Sequence, residues 1–309
     1  MIQKPAELRF DNKKLFILIA GVPGIGKTTL ALSAPKPLLL DLDDGVSRVQ
    51  PQFRTDTDVV SSFAELEADL KSADLTPYET IVIDTGGKLL EWLKPVVIAE
   101  DPKNGRRDGE LSLQGYGVVK KKFASFVKSV RALGKHLIMV FHAQEVALDG
   151  DVTGLRIRCE GRAKDEVWDD VDIGGFVEMR NGKRTIGFTN TDRYYAKGTY
   201  GVHGLYEIPD LEQSGAKNTF LTDLIKSVLK GLNSEAKASG EYEEVMAQLL
   251  PMVESADSPE SLSEALRAIS RAKHCLTSKA ELKGALLARA KALGLRYDRA
   301  TSQFVPAEG

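Results

Sequence analysis

Residues 14–28 read KLFILIAGVPGIGKT. The first half of this stretch, Lys14 to Ala20, is a nearly continuous apolar run, which is typical of a strand buried on both faces of a parallel sheet. Gly21–Thr28 then matches G-x-x-x-x-G-K-[ST] at every fixed position. The helix-forming segment TLALSA follows directly. Strand, glycine-rich loop and helix in this order predict a P-loop that binds a nucleoside triphosphate.

The P-loop motif assigns a role to each of its polar groups. The glycines let the backbone curl so that its N–H groups point at phosphate oxygens. Lys27 is expected to reach the β- and γ-phosphates and to act in catalysis, and the Thr28 hydroxyl is expected to bind Mg²⁺. The predicted nucleotide-binding residues of this segment are Gly21, Val22, Pro23, Gly24, Ile25, Gly26, Lys27, Thr28 and Thr29.

Acidic residues stand at the ends of the next two apolar segments. TIVID ends on Asp84, where a carboxylate beside the P-loop suits a Mg²⁺ shell. LLLDLDDG brings Asp41, Asp43 and Asp44 to the end of the second strand, the edge at which ligands bind in open α/β sheets. We favour Asp43 as the catalytic carboxylate that orients or deprotonates the attacking water.

The fourth apolar segment, HLIMVF, is followed by His142 and Gln144. Either side chain can contact the γ-phosphate from this position and transmit its loss to the chain that follows. The sequence leaves the choice between them open.

Composition excludes several classes of protein. The chain has 309 residues, a formal net charge of -2 and a pI near 6.2, which argues against a uniformly basic nucleic-acid coat protein. Its two cysteines, Cys159 and Cys275, form no CxxC or Cys/His array, so neither a zinc site nor a disulfide framework is expected. The sequence contains no apolar run of membrane-spanning length and no signal peptide, and it predicts a cytoplasmic protein with no membrane partner.

Alternating strand and helix patterns predict an α/β fold with a mainly parallel sheet. After Gln144 shorter strands appear, and we expect them to extend this sheet in antiparallel fashion. The predicted organisation is a core at 1–232, a linker at 233–240 (NSEAKASG) and a small helical C-terminal domain at 241–309. In that last domain, Ser258 before Pro259 predicts a helix start, and Ser278 with Glu281 predicts a capping box.

The order of motifs resembles a known family, the RecA-like core ATPases. The similar segments are GVPGIGKTTLAL, LLLDLDDG, TIVIDT, a helix led by QGYG, HLIMVFHAQE and DRYYAKGTYG, spread over about residues 12–205. The closest resemblance is to the small phage-encoded ATP-binding proteins of that superfamily that serve in single-strand annealing and recombination. It implies a RecA-like P-loop NTPase core, ATP and Mg²⁺ as cofactors, single-stranded DNA as partner, a homo-oligomer and, for a phage protein, the host cytoplasm.

The resemblance also implies roles by position. Asp43 stands where relatives place the catalytic carboxylate, although many of them have Glu there. Lys197, in preference to Arg193, is expected to reach the γ-phosphate held by a neighbouring subunit. Two loops, 101–115 and 146–165, correspond to DNA-facing loops. Their candidate DNA-binding residues are Lys103, Arg106, Arg107, Arg156, Arg158, Arg162 and Lys164.

Three functions are compatible with these patterns. The first is a DNA-dependent ATPase in which ATP tightens the grip on single-stranded DNA. The second is a nucleotide-gated adaptor or loader in phage DNA replication, whose turnover DNA does not stimulate. The third is a P-loop kinase of a small molecule, although the sequence shows no kinase-like lid. The C-terminal helices carry no catalytic pattern and are expected to bind a protein partner or to mediate oligomerisation.

Overall fold

The structure is a computed structural model that describes residues 2–3, 7–147, 153–159, 167–212 and 215–307. It divides the chain into two compact units. The larger unit is Lys13–Val228, and the smaller unit combines Met1–Asn12 with Leu229–Gly309. The first residues therefore belong with the C-terminal part and not with the core, contrary to the predicted 1–232. Within the smaller unit, the Phe10 amide donates to Asn233 Oδ1 (3.0 Å).

The larger unit is built on one sheet that has nine strands among the described residues, with the order β3-β2-β4-β5-β1-β7-β8-β9 and with β6 paired to β5. The strands from β3 to β7 along this order pair in parallel, which confirms the predicted α/β fold with a mostly parallel sheet. Their bounds are β1 Phe16–Gly21, β2 Pro37–Asp41, β3 Thr57–Val59, β4 Thr80–Asp84, β5 His136–Ala147, β6 Thr153–Ile157, β7 Ile173–Arg180, β8 Lys183–Gly187 and β9 Leu205–Glu207.

Helices cover the sheet because its strands are apolar on both faces. All six residues of β1 are buried. The first four helices are α1 Lys27–Ala31, α2 Phe63–Ser72, α3 Gly86–Glu100 and α4 Leu113–Ala132. Phe16, Leu18 and Ala20 join a core formed with side chains of α2, α3 and α4, whereas α1 contacts β1 and β5 outside that cluster. None of the described helices combines the length and the apolar character that a membrane crossing needs.

Two strands differ from the sequence-based expectation. β5 does not end at Phe141 but continues to Ala147, and its second half forms an antiparallel hairpin with β6. His142 and Gln144 therefore lie on a strand and not in a loop after it. β7 pairs in parallel with β1 and only its other edge is antiparallel, to β8. The apolar pattern of β7 could not reveal which neighbour the strand would choose.

The predicted linker at 233–240 was wrong. Those residues lie inside α5, which runs without interruption from Phe220 to Ser255. The segment contains no proline, and Ala236 is buried, so packing keeps a continuous helix through a composition that resembled a loop.

The smaller unit contains two further helices and a β-hairpin. α6 (Pro259–Arg271) has Ser258 as its N-cap residue, as predicted. α7 (Ser278–Ala292) is capped differently, because Thr277 is the N-cap residue and Ser278 is buried. β10 (Leu295–Asp298) and β11 (Gln303–Pro306) pair in antiparallel fashion, so residues 241–309 are not all helical. The predicted capping box at Ser278 was wrong.

Two neighbouring glycines at the start of α3 provide a test of the packing. A Cβ on Gly86 would lie 2.4 Å from Phe141 Cζ, whereas the nearest atom to a Cβ on Gly87 is 3.4 Å away. We expect Gly86→Ala to lower the free energy of unfolding by about 1–3 kcal/mol through overpacking. Gly87→Ala is the matched control and should be neutral or slightly stabilising, because alanine favours a helix. Urea denaturation of both variants measures the difference, and equal stabilities would contradict this packing.

Candidate nucleotide-binding site

The P-loop connects the end of β1 to α1 through residues with unusual backbone requirements. Gly24 and Gly26 have φ angles of 79° and 88°, a region that favours glycine. Gly21 leaves no room for a side chain, because a Cβ there would lie 2.9 Å from the Val177 carbonyl oxygen of β7. The loop is therefore held against the sheet at one end and turned by its glycines at the other.

The Lys27 ammonium is buried within this loop. It donates to the Val22 carbonyl oxygen at 2.9 Å. The pKa of Lys27 is lowered from 10.5 to about 8, mainly by burial; the nearby Arg48 adds to the shift, and the carboxylates of Asp84 and Asp43 oppose it. A buried cation with too few counter-charges is suited to meet a polyanion such as a phosphate chain.

The structure brings Thr28 and Asp84, the two residues predicted to bind Mg²⁺, into direct contact. Thr28 Oγ1 donates to Asp84 Oδ2 at 2.5 Å. Burial raises the pKa of Asp84, the neighbouring Asp41 also raises it, and the bond to Thr28 and the charges of Lys27 and His142 oppose the shift. A Cβ on Gly45 would lie 3.3 Å from Asp84 Oδ2, so the glycine keeps space open there. A hydroxyl and one carboxylate are hard oxygen donors that fit Mg²⁺ shared with phosphates.

Asp41, the last residue of β2, and Asp43, just after it, have different surroundings. Asp41 is fully buried, and its carboxylate accepts the N–H groups of Gly45 and Val46, both at 2.8 Å. It thereby fixes the turn that contains Asp43. Asp43 Oδ2 lies 3.3 Å from His142 Nε2 at the end of the pairing between β1 and β5. Unlike Asp41, Asp43 keeps a partly exposed carboxylate.

The structure distinguishes His142 from Gln144. His142 pairs with Gly21, the first residue of the P-loop. Gln144 is exposed and lies two residues farther along β5, opposite Arg156 in the hairpin with β6. Of the two side chains, His142 is therefore the one that lies beside the P-loop strand and contacts Asp43.

A cleft of about 710 Å³ adjoins the P-loop and was not predicted. It is bordered by Gly24 and Thr29, by Phe53 after β2, and by the turn between β7 and β8. Two arginines, Arg48 and Arg184, line it. Sequence patterns gave no signal for either arginine because neither belongs to a motif. The cleft is large enough to receive the nucleoside of a nucleotide whose phosphates occupy the P-loop.

Lys197, the predicted catalytic cation, is not part of this site within one chain. Its ammonium donates to the carbonyl oxygens of Trp168 and Asp169, at 3.2 and 3.1 Å. Arg193, the alternative, pairs with the nearly buried Glu178. Any role of Lys197 in catalysis therefore requires a neighbouring subunit.

The predicted DNA-binding residues are not gathered in one place. Lys103, Arg106 and Arg107 are exposed beyond the end of α3, and Arg158 is exposed after β6. The Arg158 carbonyl lies near Gly87, in the first turn of α3, so the length of that helix, about 20 Å, separates the two groups. Arg156 is half-buried, and its guanidinium donates to the carbonyl oxygens of Leu155 and Arg193. Arg162 and Lys164 lie outside the described residues.

A comparison with known protein families identifies one that matches this chain. Residues 13–200, more than half of the chain, match the family model described as AAA domain. No curated protein matches the chain. The match covers the sheet of the larger unit as far as β8 together with the P-loop, Asp43, Asp84 and His142.

The depressed pKa of Lys27 predicts how nucleotide binding depends on pH. Below pH 8 the ammonium is charged and meets the phosphates directly, and above pH 8 the nucleotide-free protein must take up a proton when it binds. We expect the affinity for ADP to fall by about tenfold per pH unit above pH 8. Calorimetry at pH 9 in buffers of different ionisation enthalpy measures the proton uptake.

Lys27→Arg is the matched control for this prediction. Its guanidinium stays charged across the range, so its affinity, even if weaker, should not change between pH 7.5 and 9.5, to about a factor of two. Proton uptake by the variant, or none by the wild-type protein at pH 9, would contradict the assignment to Lys27.

Proposed function

The chain belongs to the AAA-domain family of P-loop ATPases, and on that premise we propose that it couples ATP hydrolysis to binding of single-stranded DNA. The proposed setting is phage recombination or annealing in the host cytoplasm. The motif order that resembles RecA-like ATPases supports this proposal, as does the position of β5 between the P-loop strand β1 and the strand β4 that carries Asp84.

One observation carries the coupling between nucleotide and DNA. The ring of His142 contacts Asp43, and the backbone carbonyl of His142 accepts the N–H of Arg158 at 2.7 Å. A movement of His142 towards or away from the terminal phosphate is therefore passed directly to the exposed Arg158. The β5–β6 hairpin, to which both residues belong or adjoin, is the element that would change position.

The residues of the candidate site have separate roles in the proposed reaction. Lys27 binds the phosphate chain, and Asp43 orients the attacking water or accepts its proton. Thr28 and Asp84 would hold Mg²⁺, which supplies charge neutralisation at the phosphates. His142 senses whether the terminal phosphate is present.

The loop 101–112 offers a second surface for nucleic acid. Lys103, Arg106 and Arg107 are exposed there, and in the described part of the chain their side chains make no ion pair. The Ser112 hydroxyl donates to the Lys103 carbonyl oxygen at 3.1 Å and brings the first turn of α4 beside this loop. In that turn Tyr116 is 36% exposed. Cations next to an aromatic ring are typical of surfaces that bind single strands by phosphate contacts and base stacking.

The proposal includes a homo-oligomer. Lys197 would act on the γ-phosphate bound by a neighbouring subunit, and doing so would exchange its bonds to the Trp168 and Asp169 carbonyls for contacts with that phosphate. A rate of hydrolysis per chain that rises with protein concentration would support this arrangement. The helices α6 and α7 would provide a site for a protein partner.

The main prediction is that single-stranded DNA stimulates ATP hydrolysis at low salt, and that Lys27→Ala abolishes the activity. Arg158→Ala and the double variant Arg106→Ala/Arg107→Ala should reduce stimulation. They should also lower the salt dependence of DNA binding by about 0.7 per lost phosphate contact. Lys128→Ala removes an exposed charge on α4 and serves as the control that keeps the wild-type response. Phosphate release and DNA binding at several salt concentrations give these quantities.

Other outcomes of the same experiment identify the alternatives. Hydrolysis that requires Lys27 but does not respond to DNA would overturn the DNA-coupled function and favour the nucleotide-gated adaptor. Phosphate that appears on an acceptor molecule instead of as free phosphate would indicate a kinase. Stimulation that is unchanged in the Arg158 variant would overturn the coupling through His142.

A further inference from the structure

Arg184 places a guanidinium against the P-loop. A Cβ built on Gly26 would lie 2.5 Å from Arg184 Nη1, so the guanidinium occupies the space next to the glycine that precedes Lys27. The side chain is only partly exposed. It projects from β8, and a backbone bond from the Ile208 amide to the Arg184 carbonyl (2.8 Å) anchors that part of the strand. The sheet thus holds the backbone of Arg184 in place, and the side chain extends from it to Gly26.

The guanidinium has no anionic partner in the described part of the chain. The carboxylate of Glu207, on the adjacent strand β9, forms an ion pair with the neighbouring residue Lys183 at 2.9 Å. Asp210, which also lines the cleft, accepts the N–H of Glu212 at 3.0 Å. An arginine that is half removed from water and lacks a counter-ion is expected to be satisfied by an anionic ligand.

Arg184 and the carboxylates of Asp43 and Asp84 border different spaces beside the P-loop. The cleft beside Arg184 is lined by Gly24 and Thr29, and Gly26 and Thr29 border a small adjoining pocket with the same arginine. The side chains of Asp43 and Asp84 line neither space. They lie with Thr28 and His142, where the terminal phosphate and the metal would be.

We propose that Arg184 binds the non-terminal phosphates of the nucleotide within the same chain, and not the γ-phosphate that is cleaved. It is a binding residue for any nucleoside diphosphate or triphosphate, and it does not stabilise the transition state. The guanidinium fork matches two phosphate oxygens, and it complements the point charge of Lys27 from the other side of the chain of phosphates. The inference rests on nucleotide binding at the P-loop but not on coupling to DNA.

This role predicts a particular pattern of affinities and rates. Groups that contact only the non-terminal phosphates interact equally with ADP, ATP and the transition state, so their loss raises KM and leaves kcat unchanged. We expect Arg184→Ala to weaken binding of ADP and of a non-hydrolysable ATP analogue by the same factor, about tenfold or more. Arg184→Lys, which retains the charge but not the fork, should recover part of the affinity.

The experiment is calorimetric titration of the full chain with ADP and with the ATP analogue, without DNA, followed by measurement of kcat and KM. Lys128→Ala is the control, since it removes an exposed cation on α4 that lines neither the cleft nor the adjoining pocket. It should change both affinities less than about twofold. Thermal unfolding of each variant shows whether the protein still folds. Arg184→Lys is expected to remain folded.

Two results would overturn the proposal. A fall in kcat with unchanged ADP affinity would place Arg184 at the γ-phosphate, and equal affinities for wild-type protein and folded Arg184→Ala would leave it no role in binding. Failure of the proposed function is distinguishable from both. Wild-type protein that binds neither nucleotide would refute the P-loop site itself, whereas binding without stimulation by DNA would refute only the coupling.

Discussion

The hydrogen bond between Thr28 and Asp84, 2.5 Å long, is the contact on which the geometry of the candidate site depends. Thr28 lies in α1, which follows the P-loop after β1, and Asp84 ends β4, a strand that is separated from β1 by β5. The bond therefore fixes the P-loop relative to two strands at once. The turn after β2 depends on the same point, since the Leu42 amide donates to the Asp84 carbonyl (2.7 Å) and Asp41 holds the amides that follow.

Burial disfavours the charged forms of the ionisable groups in this site. It shifts the pKa of Lys27 down and that of Asp84 up, so each group is less ionised than it would be in water. Their mutual attraction compensates only in part, because desolvation is the largest cause of both shifts. A phosphate chain and a divalent cation supply the opposite charges that the pair lacks. The site is thus arranged for a charged ligand and not for maximal stability of the empty protein.

Two groups of residues beside the P-loop would serve different tasks in the proposed function. Asp43 contacts His142, whose backbone carbonyl accepts the N–H of Arg158, and this connection would link the terminal phosphate to the β5–β6 hairpin. Arg184 contacts the P-loop from β8, a strand that takes no part in that connection. Such a division would separate tight nucleotide binding from the response to hydrolysis, because only the first contact is common to ATP and ADP.

The P-loop and the buried strands could be predicted from the sequence, because each depends on local chemistry. Glycines are needed where φ is positive, and a strand covered on both faces must be apolar. The sequence-based prediction failed at 233–240, where packing keeps α5 intact, and the sequence did not show whether His142 or Gln144 lies beside the P-loop strand. The tertiary structure places His142 there and brings Arg184 to Gly26, a residue 158 positions earlier in the chain. Strand pairing sets such distant contacts, and it leaves no local pattern in the residues concerned.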